Sequence, residues 1–283
     1  FTAHPYKHAT IGSLHDLEAA SIGDVRDFYR TYYVPANVTL VVVGDFDKAQ
    51  ALQLVTQYLG RVPKADGGVP RDIPREPPQT KEKRVTVSAP WPLPAVVVGY
   101  HITHDGHPDA YPLHIASKVL SDGQSSRIYK KLVYEKRIAV EAFGQANLIE
   151  DPNLFYAVAI VQPGRTTEEA ASALIAELDR LKTEPIDEHE LQRTKNQFAR
   201  DYIISRESNQ QKAAQLGHAV VIHGDITTAD AEYEIFQNVT SADVQRVART
   251  YFRPENRLVL TLMPSGGAPS GEAQPGAAPG GVR

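Results

Sequence analysis

The sequence predicts an α+β sandwich in which helices pack on a mostly antiparallel sheet. Beyond residue 84, the predicted elements follow the order strands, helices, strands, helices and strand, which is typical of that architecture. In addition, a unit of helix, turn and strand occurs twice, at Asp24–Val42 and again at Asp243–Leu260. The chain is therefore predicted to contain the end of one repeat followed by one complete homologous domain.

The two copies of the repeated unit align without a gap, 219 residues apart from Asp24 to Asp243. The matched positions are Asp24-Val25 with Asp243-Val244, Arg30-Thr31-Tyr32 with Arg249-Thr250-Tyr251, Pro35 with Pro254, and Asn37 with Asn256. This many identities in one register indicate duplication rather than coincidence. If the offset is the repeat length, we expect about 200 residues of the first copy to precede Phe1.

Residues 1–60 are predicted to be the C-terminal end of the first repeat. A loop leads into a short helix, and the repeated unit then supplies a helix and a strand at Val38–Val43. The helix Lys48–Leu59 closes this part, because its apolar residues recur at helical spacing. Residues 61–84 are rich in proline, glycine and charge and have no apolar period, which predicts an extended, solvent-accessible linker between domains.

Residues 85–264 are predicted to form the second domain. Its predicted strands are Val85–Ser88, Ala95–Ile102, Ile138–Leu148, Leu154–Gln162 and Leu258–Met263, and its first two helices are Asp109–Leu120 and Ser125–Lys136. Two later helices are predicted, one beginning at Thr166 or Thr167 with Glu168 or Glu169, and one at Asp187, where Glu190 follows three residues on. Residues 265–283 consist almost entirely of small residues and proline, which predicts a disordered tail or a tether.

The composition excludes several functional classes. The 34 acidic residues outnumber the 30 basic ones and no dense basic block occurs, so no nucleic-acid partner is expected. The chain has no cysteine, which rules out disulfides and cysteine-ligated zinc within these residues. Its apolar runs are too short to span a bilayer, and no transmembrane segment is predicted.

The sequence contains no complete catalytic motif, and two groups of residues could form only parts of one. His101, His104 and His107 could form a metal site with neighbouring aspartates, but three-residue spacing at a strand end does not aim ligands at one centre, and a polar loop is the simpler interpretation. No His-x-x-Glu-His or related zinc-peptidase motif occurs. The serines at Ser125 and Ser126 are better explained as a helix start than as a catalytic turn.

Several segments, taken in order, resemble the pitrilysin/insulinase family of zinc metallopeptidases, the inverzincins that include mitochondrial processing peptidase. They are His4-Pro5-Tyr6, Tyr33-x-Pro35-x-Asn37, Leu120-Ser121-Asp122-Gly123 with Ser125-Ser126-Arg127-Ile128-Tyr129, and Glu190-Leu191-x-x-Thr194-Lys195-Asn196. The resemblance implies paired homologous domains that enclose an unfolded peptide, with catalytic zinc bound by the first domain. By the repeat offset, those zinc ligands would lie upstream of Phe1, and no catalytic or metal residue is expected here.

The resemblance also implies which residues hold substrate. In the family half opposite the zinc, an arginine and a tyrosine seven residues later bind the peptide backbone, and here Val133 and Val140 replace them. One interpretation is a zinc half that pairs with a second homologous half, as a separate subunit or in the same chain, which supplies the Arg/Tyr pair. The other is a non-catalytic scaffold subunit of a heteromeric complex. The resemblance favours a periplasmic or cell-envelope location.

Overall fold

The computed structural model describes residues 1–64 and 68–265, and its central feature is a five-stranded sheet. The strands are β1 (Lys83–Ala89), β2 (Ala95–His101), β3 (Ala139–Ala146), β4 (Leu154–Val161) and β5 (Arg257–Pro264). They lie in the order β1-β5-β2-β4-β3, and only β1 and β5 pair in parallel. The predicted α+β class with a mostly antiparallel sheet is confirmed.

Helices cover this sheet, and residues of both helices and strands form one hydrophobic core. They are α4 (Ala110–Ser121), α5 (Arg127–Tyr129), α6 (Thr167–Thr183), α7 (Glu188–Ile204), α8 (Asn209–His218), α9 (Thr228–Asn238) and α10 (Ser241–Tyr251). Of these, α4 and α6 contact strands directly, and α10 packs against both. The two predicted helix starts are confirmed: Thr166, rather than Thr167, caps α6, Asp187 caps α7, and each side chain accepts from the backbone N–H three residues on.

An aromatic cluster ties the last repeated unit to the sheet. Phe252, which follows α10, is fully buried against Tyr100 of β2 and Phe155 of β4, with ring centroids 5.1 Å and 4.8 Å away. Tilted contacts at these spacings are favourable between aromatic rings. The turn after α10 is therefore part of the core and fixes where β5 enters the sheet.

Residues 1–60, the part predicted to end the first repeat, contain three helices, α1 (Leu14–Ala19), α2 (Ile22–Tyr32) and α3 (Lys48–Leu59). The bounds of α3 agree with the prediction. The predicted strand Val38–Val43 was wrong: this segment joins no ladder among residues 1–64 and 68–265. A strand needs a neighbour to accept its backbone hydrogen bonds, and its counterpart β5 has two such neighbours, β1 and β2.

Two other element predictions need correction. The predicted helix Ser125–Lys136 keeps α-geometry only in α5 and continues as a π-helix at Lys130–Glu135. The first sheet strand begins at Lys83, two residues before the predicted start, because Lys83 already pairs with Leu258 of β5. The rest of the predicted linker, as far as the structure describes it at 61–64 and 68–82, contains no helix and no strand. The tail predicted at 265–283 lies outside the described residues after Ser265.

Candidate functional site

Both copies of the repeated unit begin with the same helix cap. In α2, Ser21 and Asp24 form a capping box, with the Asp24 N–H donating to Ser21 Oγ at 3.2 Å and the Ser21 N–H donating to Asp24 Oδ2 at 2.8 Å. In α10, Thr240 and Asp243 form the same pair of bonds at 3.1 Å and 3.0 Å. A hydroxyl residue followed three positions later by a carboxylate satisfies two of the free N–H groups at the start of a helix.

The copies also end in the same turn. A short 3₁₀-helix follows each of the two helices, and its last residue is an asparagine, Asn37 or Asn256. Asn37 Nδ2 donates to the carbonyl of Tyr32 at 3.0 Å, and Asn256 Nδ2 donates to the carbonyl of Tyr251 at 2.8 Å. These amides cap the carbonyls left free at a helix end. The residues that match between the two copies therefore form the same local structure.

The environments of the two copies differ sharply. Val25 and Phe28 on α2 are each 57% exposed, whereas their counterparts on α10, Val244 and Val247, are completely buried. The same contrast separates Tyr33 from Phe252 and Leu40 from Val259. Since the local structure is the same, the difference lies in what covers each helix. We call the exposed residues Val25, Phe28, Tyr33 and Leu40 the first-repeat face, and exposed apolar surface of this kind often marks an interaction site.

The first residues of the chain are bound to Glu76, which lies in the predicted linker. Its carboxylate accepts from the N–H groups of Thr2, Ala3 and His4 at 2.7 Å, 2.8 Å and 3.0 Å, and from the Thr2 hydroxyl at 2.8 Å. Partial burial of the carboxyl group opposes ionisation, but these four bonds outweigh it and lower the pKa of Glu76 to about 2. The predicted linker is thus bound at Glu76 to the first residues of the chain.

Two of the motif segments that resemble the family meet in one ion pair. Arg127 of α5 donates from Nε to Glu190 Oε1 of α7 at 3.0 Å, and both side chains are nearly buried. Thr194, one turn further along α7, is completely buried and donates its hydroxyl to the carbonyl of Glu190. The motif residues therefore join α5 to α7. Ser126, beside this pair, is buried, which agrees with a helix start rather than an exposed nucleophile.

The histidines of the loop after β2 do not form the metal site considered from their spacing. His104 Nδ1 lies 2.6 Å from the carbonyl of Asp105, and His107 Nδ1 accepts from the N–H of Asp109 at 3.0 Å. Asp109 is itself occupied, because it accepts from the Tyr251 hydroxyl at 3.0 Å, and this contributes with burial to raising the pKa of Tyr251 to about 12. The loop is held by bonds within itself and to α10.

The same loop contributes to a different cluster, which the sequence analysis missed. Asp105 lies beside His218 at the end of α8 and beside His223, and the donor atoms of the three lie within 4.8 Å of one another. His218 Nε2 is 2.9 Å from Asp105 Oδ2. That contact raises the pKa of His218, and although burial of Asp105 opposes ionisation, it also helps lower the pKa of Asp105. More than 100 residues separate these partners, so no local motif could have indicated them.

The two positions predicted to have lost substrate contacts lie on other elements of the fold. Val133 is in the π-helix and packs against the hydrophobic core, while Val140 lies on the edge strand β3 and is 39% exposed. Neither side chain can donate a hydrogen bond or carry charge. That the substrate-binding pair is absent from this half remains a prediction.

The residues present do not fit the zinc site of an inverzincin. That site requires two histidines and a glutamate on one helix, and no His-x-x-Glu-His occurs anywhere in the 283 residues. His189 on α7 has no second histidine at helical distance. The class of this protein is therefore an α+β domain that resembles a metallopeptidase half, in a chain that contains no His-x-x-Glu-His.

Comparison with known proteins gives the family. Residues 19–198 match the description "Peptidase M16 inactive domain", and the chain belongs to that family. It is 27% identical over 266 residues to the zinc protease PqqE of Helicobacter pylori, which covers 93% of this chain and 60% of that protein. The family resemblance inferred from the motifs is confirmed.

Solved structures agree with the fold. A protease from Helicobacter pylori has a TM-score of 0.87 at 26% identity, covering 93% of this chain and 64% of that one. A chain of complex III from Candida albicans has a TM-score of 0.77 at 15% identity, covering 93% of this chain and 63% of that one. At that identity the second likeness shows the fold alone. The chain thus spans less than two thirds of these proteins, and in the part that the structure describes no helix is both long and apolar enough to cross a membrane.

Proposed function

We propose that this chain is the C-terminal part of a zinc-dependent metalloendopeptidase that encloses unfolded peptides between homologous halves. In this proposal the chain forms part of the chamber wall and the contacts between domains. Catalytic zinc belongs to the repeat that ends at residue 60, and none of its ligands is among these residues. The zinc-protease name of the relative and its greater length support this assignment.

The observation that carries the proposal is the first-repeat face. Its counterpart in the second repeat is covered by α4 and α6, and Phe252 after α10 packs on Tyr100 of β2 and Phe155 of β4. Equivalent elements from the rest of the first repeat would cover α2 and its following turn in the same way. Moving an apolar side chain from full exposure to full burial contributes about 1.5–3 kcal/mol. The four residues of the face are a little over half exposed, so covering them would contribute roughly 3–7 kcal/mol, which is a substantial fraction of the stability of a domain.

The chain's own residues would act by shape and position rather than by chemistry. Val133 and Val140 cannot bind a peptide backbone through a charge or a side-chain hydrogen bond. A second homologous half, in the same chain or as a partner subunit, is therefore proposed to supply the Arg/Tyr pair that holds the substrate.

The test is a peptidase assay on the intact protein, using an internally quenched unfolded peptide as substrate. We expect cleavage that a chelator abolishes and added Zn²⁺ restores, and no cleavage by residues 1–283 alone. If the purified partner half is needed for cleavage, the division of the substrate site between halves is supported. Chelator-resistant cleavage by the intact protein would contradict the assignment to zinc peptidases.

A scaffold function is the second candidate, favoured by one observation. Valines, Val133 and Val140, occupy both predicted substrate-binding positions, and Val133 packs against the core. This is what we expect of a homologous half that does not bind peptide. Absence of cleavage by the intact protein with every candidate half present, together with recovery of a stable heteromeric complex, would favour this function. We propose a periplasmic or envelope location in either case, which cell fractionation would test.

A further inference from the structure

We propose that Asp105, His218 and His223 form a binding site for a divalent transition-metal ion of the zinc class. The three side chains project from the loop after β2 and from the end of α8, and their donor atoms lie within 4.8 Å of one another. This inference departs from the expectation that no metal ligand lies in the chain. It is independent of the proposed function, because it concerns only residues described here.

The backbone places the two histidines on one side. His218 ends α8, and His223 ends the π-helical turn Ala219–His223 that continues it. In an α-helix, residues five apart point about 140° away from each other. The i→i+5 hydrogen-bond pattern of a π-turn instead brings the fifth residue back over the first, and such turns occur frequently at functional sites. The two imidazole centroids are 5.5 Å apart as a result.

The loop holds the carboxylate in a position suited to coordination. The Gly106 N–H donates to Asp105 Oδ1 at 2.8 Å, and the Asp105 N–H donates to the Ile149 carbonyl at 2.8 Å. This leaves Oδ2 directed at His218. Fixing a ligating carboxylate through its second oxygen is typical of metal sites, where such outer contacts orient the ligands.

Gly106 brings the loop close to the second histidine. It has a φ of +83°, and a Cβ at this position would lie 3.4 Å from His223 Nδ1. Glycine adopts this backbone conformation without strain, whereas other residues rarely do. The close approach of loop and ring therefore depends on glycine at this position.

The donor set identifies the class of ion. Two imidazole nitrogens and one carboxylate oxygen suit Zn²⁺ and its neighbours in the transition series, whereas Ca²⁺ and Mg²⁺ prefer oxygen alone. Ligand atoms around a tetrahedral zinc lie about 3.4 Å apart, given bond lengths near 2.1 Å. The present separations reach 4.8 Å at most. Small side-chain rotations would close the site and leave the fourth position to water.

The surroundings leave room for that water and add a second carboxylate. His218 and His223 line a cavity of about 280 Å³ together with Arg206 and Glu232. Burial raises the pKa of Glu232, opposed by Arg206. The charged groups that face the cluster are thus Glu232 and Arg206. A bound cation would replace the proton shared between Asp105 and His218, so affinity should fall as the histidines become protonated.

Binding would hold together two parts of the second domain. All three proposed ligands lie within residues 85–264, on the loop after β2 and at the end of α8. The end of α8 also approaches the segment that follows α2, since an added Cβ at Gly217 would lie 3.7 Å from Val41. An ion held by Asp105 and both histidines would fix the end of α8 to the loop after β2, and we expect a higher unfolding temperature for the metal-bound chain.

The experiment is a calorimetric titration of the tag-free 283-residue chain with Zn²⁺, in chelator-treated buffer. We expect one saturable ion per chain, with affinity reduced about tenfold or more by His223→Ala or Asp105→Asn, since even outer-contact mutations cost 10–100-fold. The matched control is His15→Ala, which removes an exposed histidine of α1 and should leave the affinity unchanged. Circular dichroism checks the fold of each variant.

A second measurement keeps the test decisive if a variant fails to fold. Co²⁺ added to the wild-type chain should give visible absorption bands of a low-coordinate nitrogen and oxygen site, and Zn²⁺ should displace them. The proposal is overturned if the wild-type chain binds no ion. It is also overturned if His15→Ala lowers the affinity as much as His223→Ala does. Loss of peptidase activity in the intact protein would not affect either result.

Discussion

The sharpest prediction compares matched positions in the two copies of the repeated unit, Phe28 on α2 and Val247 on α10. In the 283-residue chain, Phe28→Ala should change the free energy of unfolding by less than about 0.5 kcal/mol, because the side chain is 57% exposed. In the protein extended by the predicted preceding repeat, the same change should cost about 3–4 kcal/mol, the usual cost of removing a buried phenylalanine.

Val247→Ala is the control, because Val247 is completely buried in the chain as it stands. It removes two methyl groups at about 0.8 kcal/mol each and leaves a small cavity, so about 2 kcal/mol is expected in both proteins. Urea denaturation followed by circular dichroism measures all four values. An equal cost of Phe28→Ala in the short and extended proteins would refute the idea that another part of the first repeat covers this face.

Four further predictions concern the chain alone. Glu190→Ala should destabilise the chain by about 3–5 kcal/mol, because Arg127 would remain buried without its partner. The double variant Glu190→Leu with Arg127→Met leaves no buried charge and should cost much less, and denaturant titration measures both values. Glu76→Gln should lower the free energy of unfolding at neutral pH, because the ionised carboxylate accepts four hydrogen bonds in the folded chain. In the wild type, this stabilisation should be lost as pH falls from about 4.5 towards 2 and Glu76 becomes protonated, and Glu76→Gln should remove that pH dependence. Burial lowers the pKa of His114 to about 4, so folding opposes protonation of this histidine. The free energy of unfolding should therefore fall by up to about 3 kcal/mol between pH 6.5 and 4. Thermal scans of His114→Phe should not show this loss of stability. Limited proteolysis should cut the linker at 61–82 before any site in 85–264, and early cuts inside the domain would contradict the boundary.

Much of the second domain follows from local chemistry. A capping side chain followed closely by a glutamate predicted helix starts near Thr166 and at Asp187, and the structure has a cap at both residues. The alternating hairpin around Asp151 was also correct, and so was the helix Lys48–Leu59 nearer the start of the chain. The caps join residues three positions apart and the hairpin joins strands that follow each other along the chain, so one stretch of sequence contains both partners.

The errors arose where the deciding partner is distant in sequence. Val38–Val43 has the composition of a strand, but a strand exists only beside another, and composition does not reveal the neighbour. The segment after Ser126 has a helical pattern, yet its backbone widens into a π-helix after α5. Apolar spacing does not distinguish the two hydrogen-bond registers.

The sequence by itself determined the duplication and the family. Both rest on residues whose roles are local, such as the Asn37 and Asn256 amides that cap a helix end within five residues. Only the tertiary structure decided that one copy is buried and the other exposed, and that Asp105 meets His218 and His223 across more than 100 residues. Burial and coordination depend on chain segments that folding brings together, and spacing along the chain carries no information about such encounters.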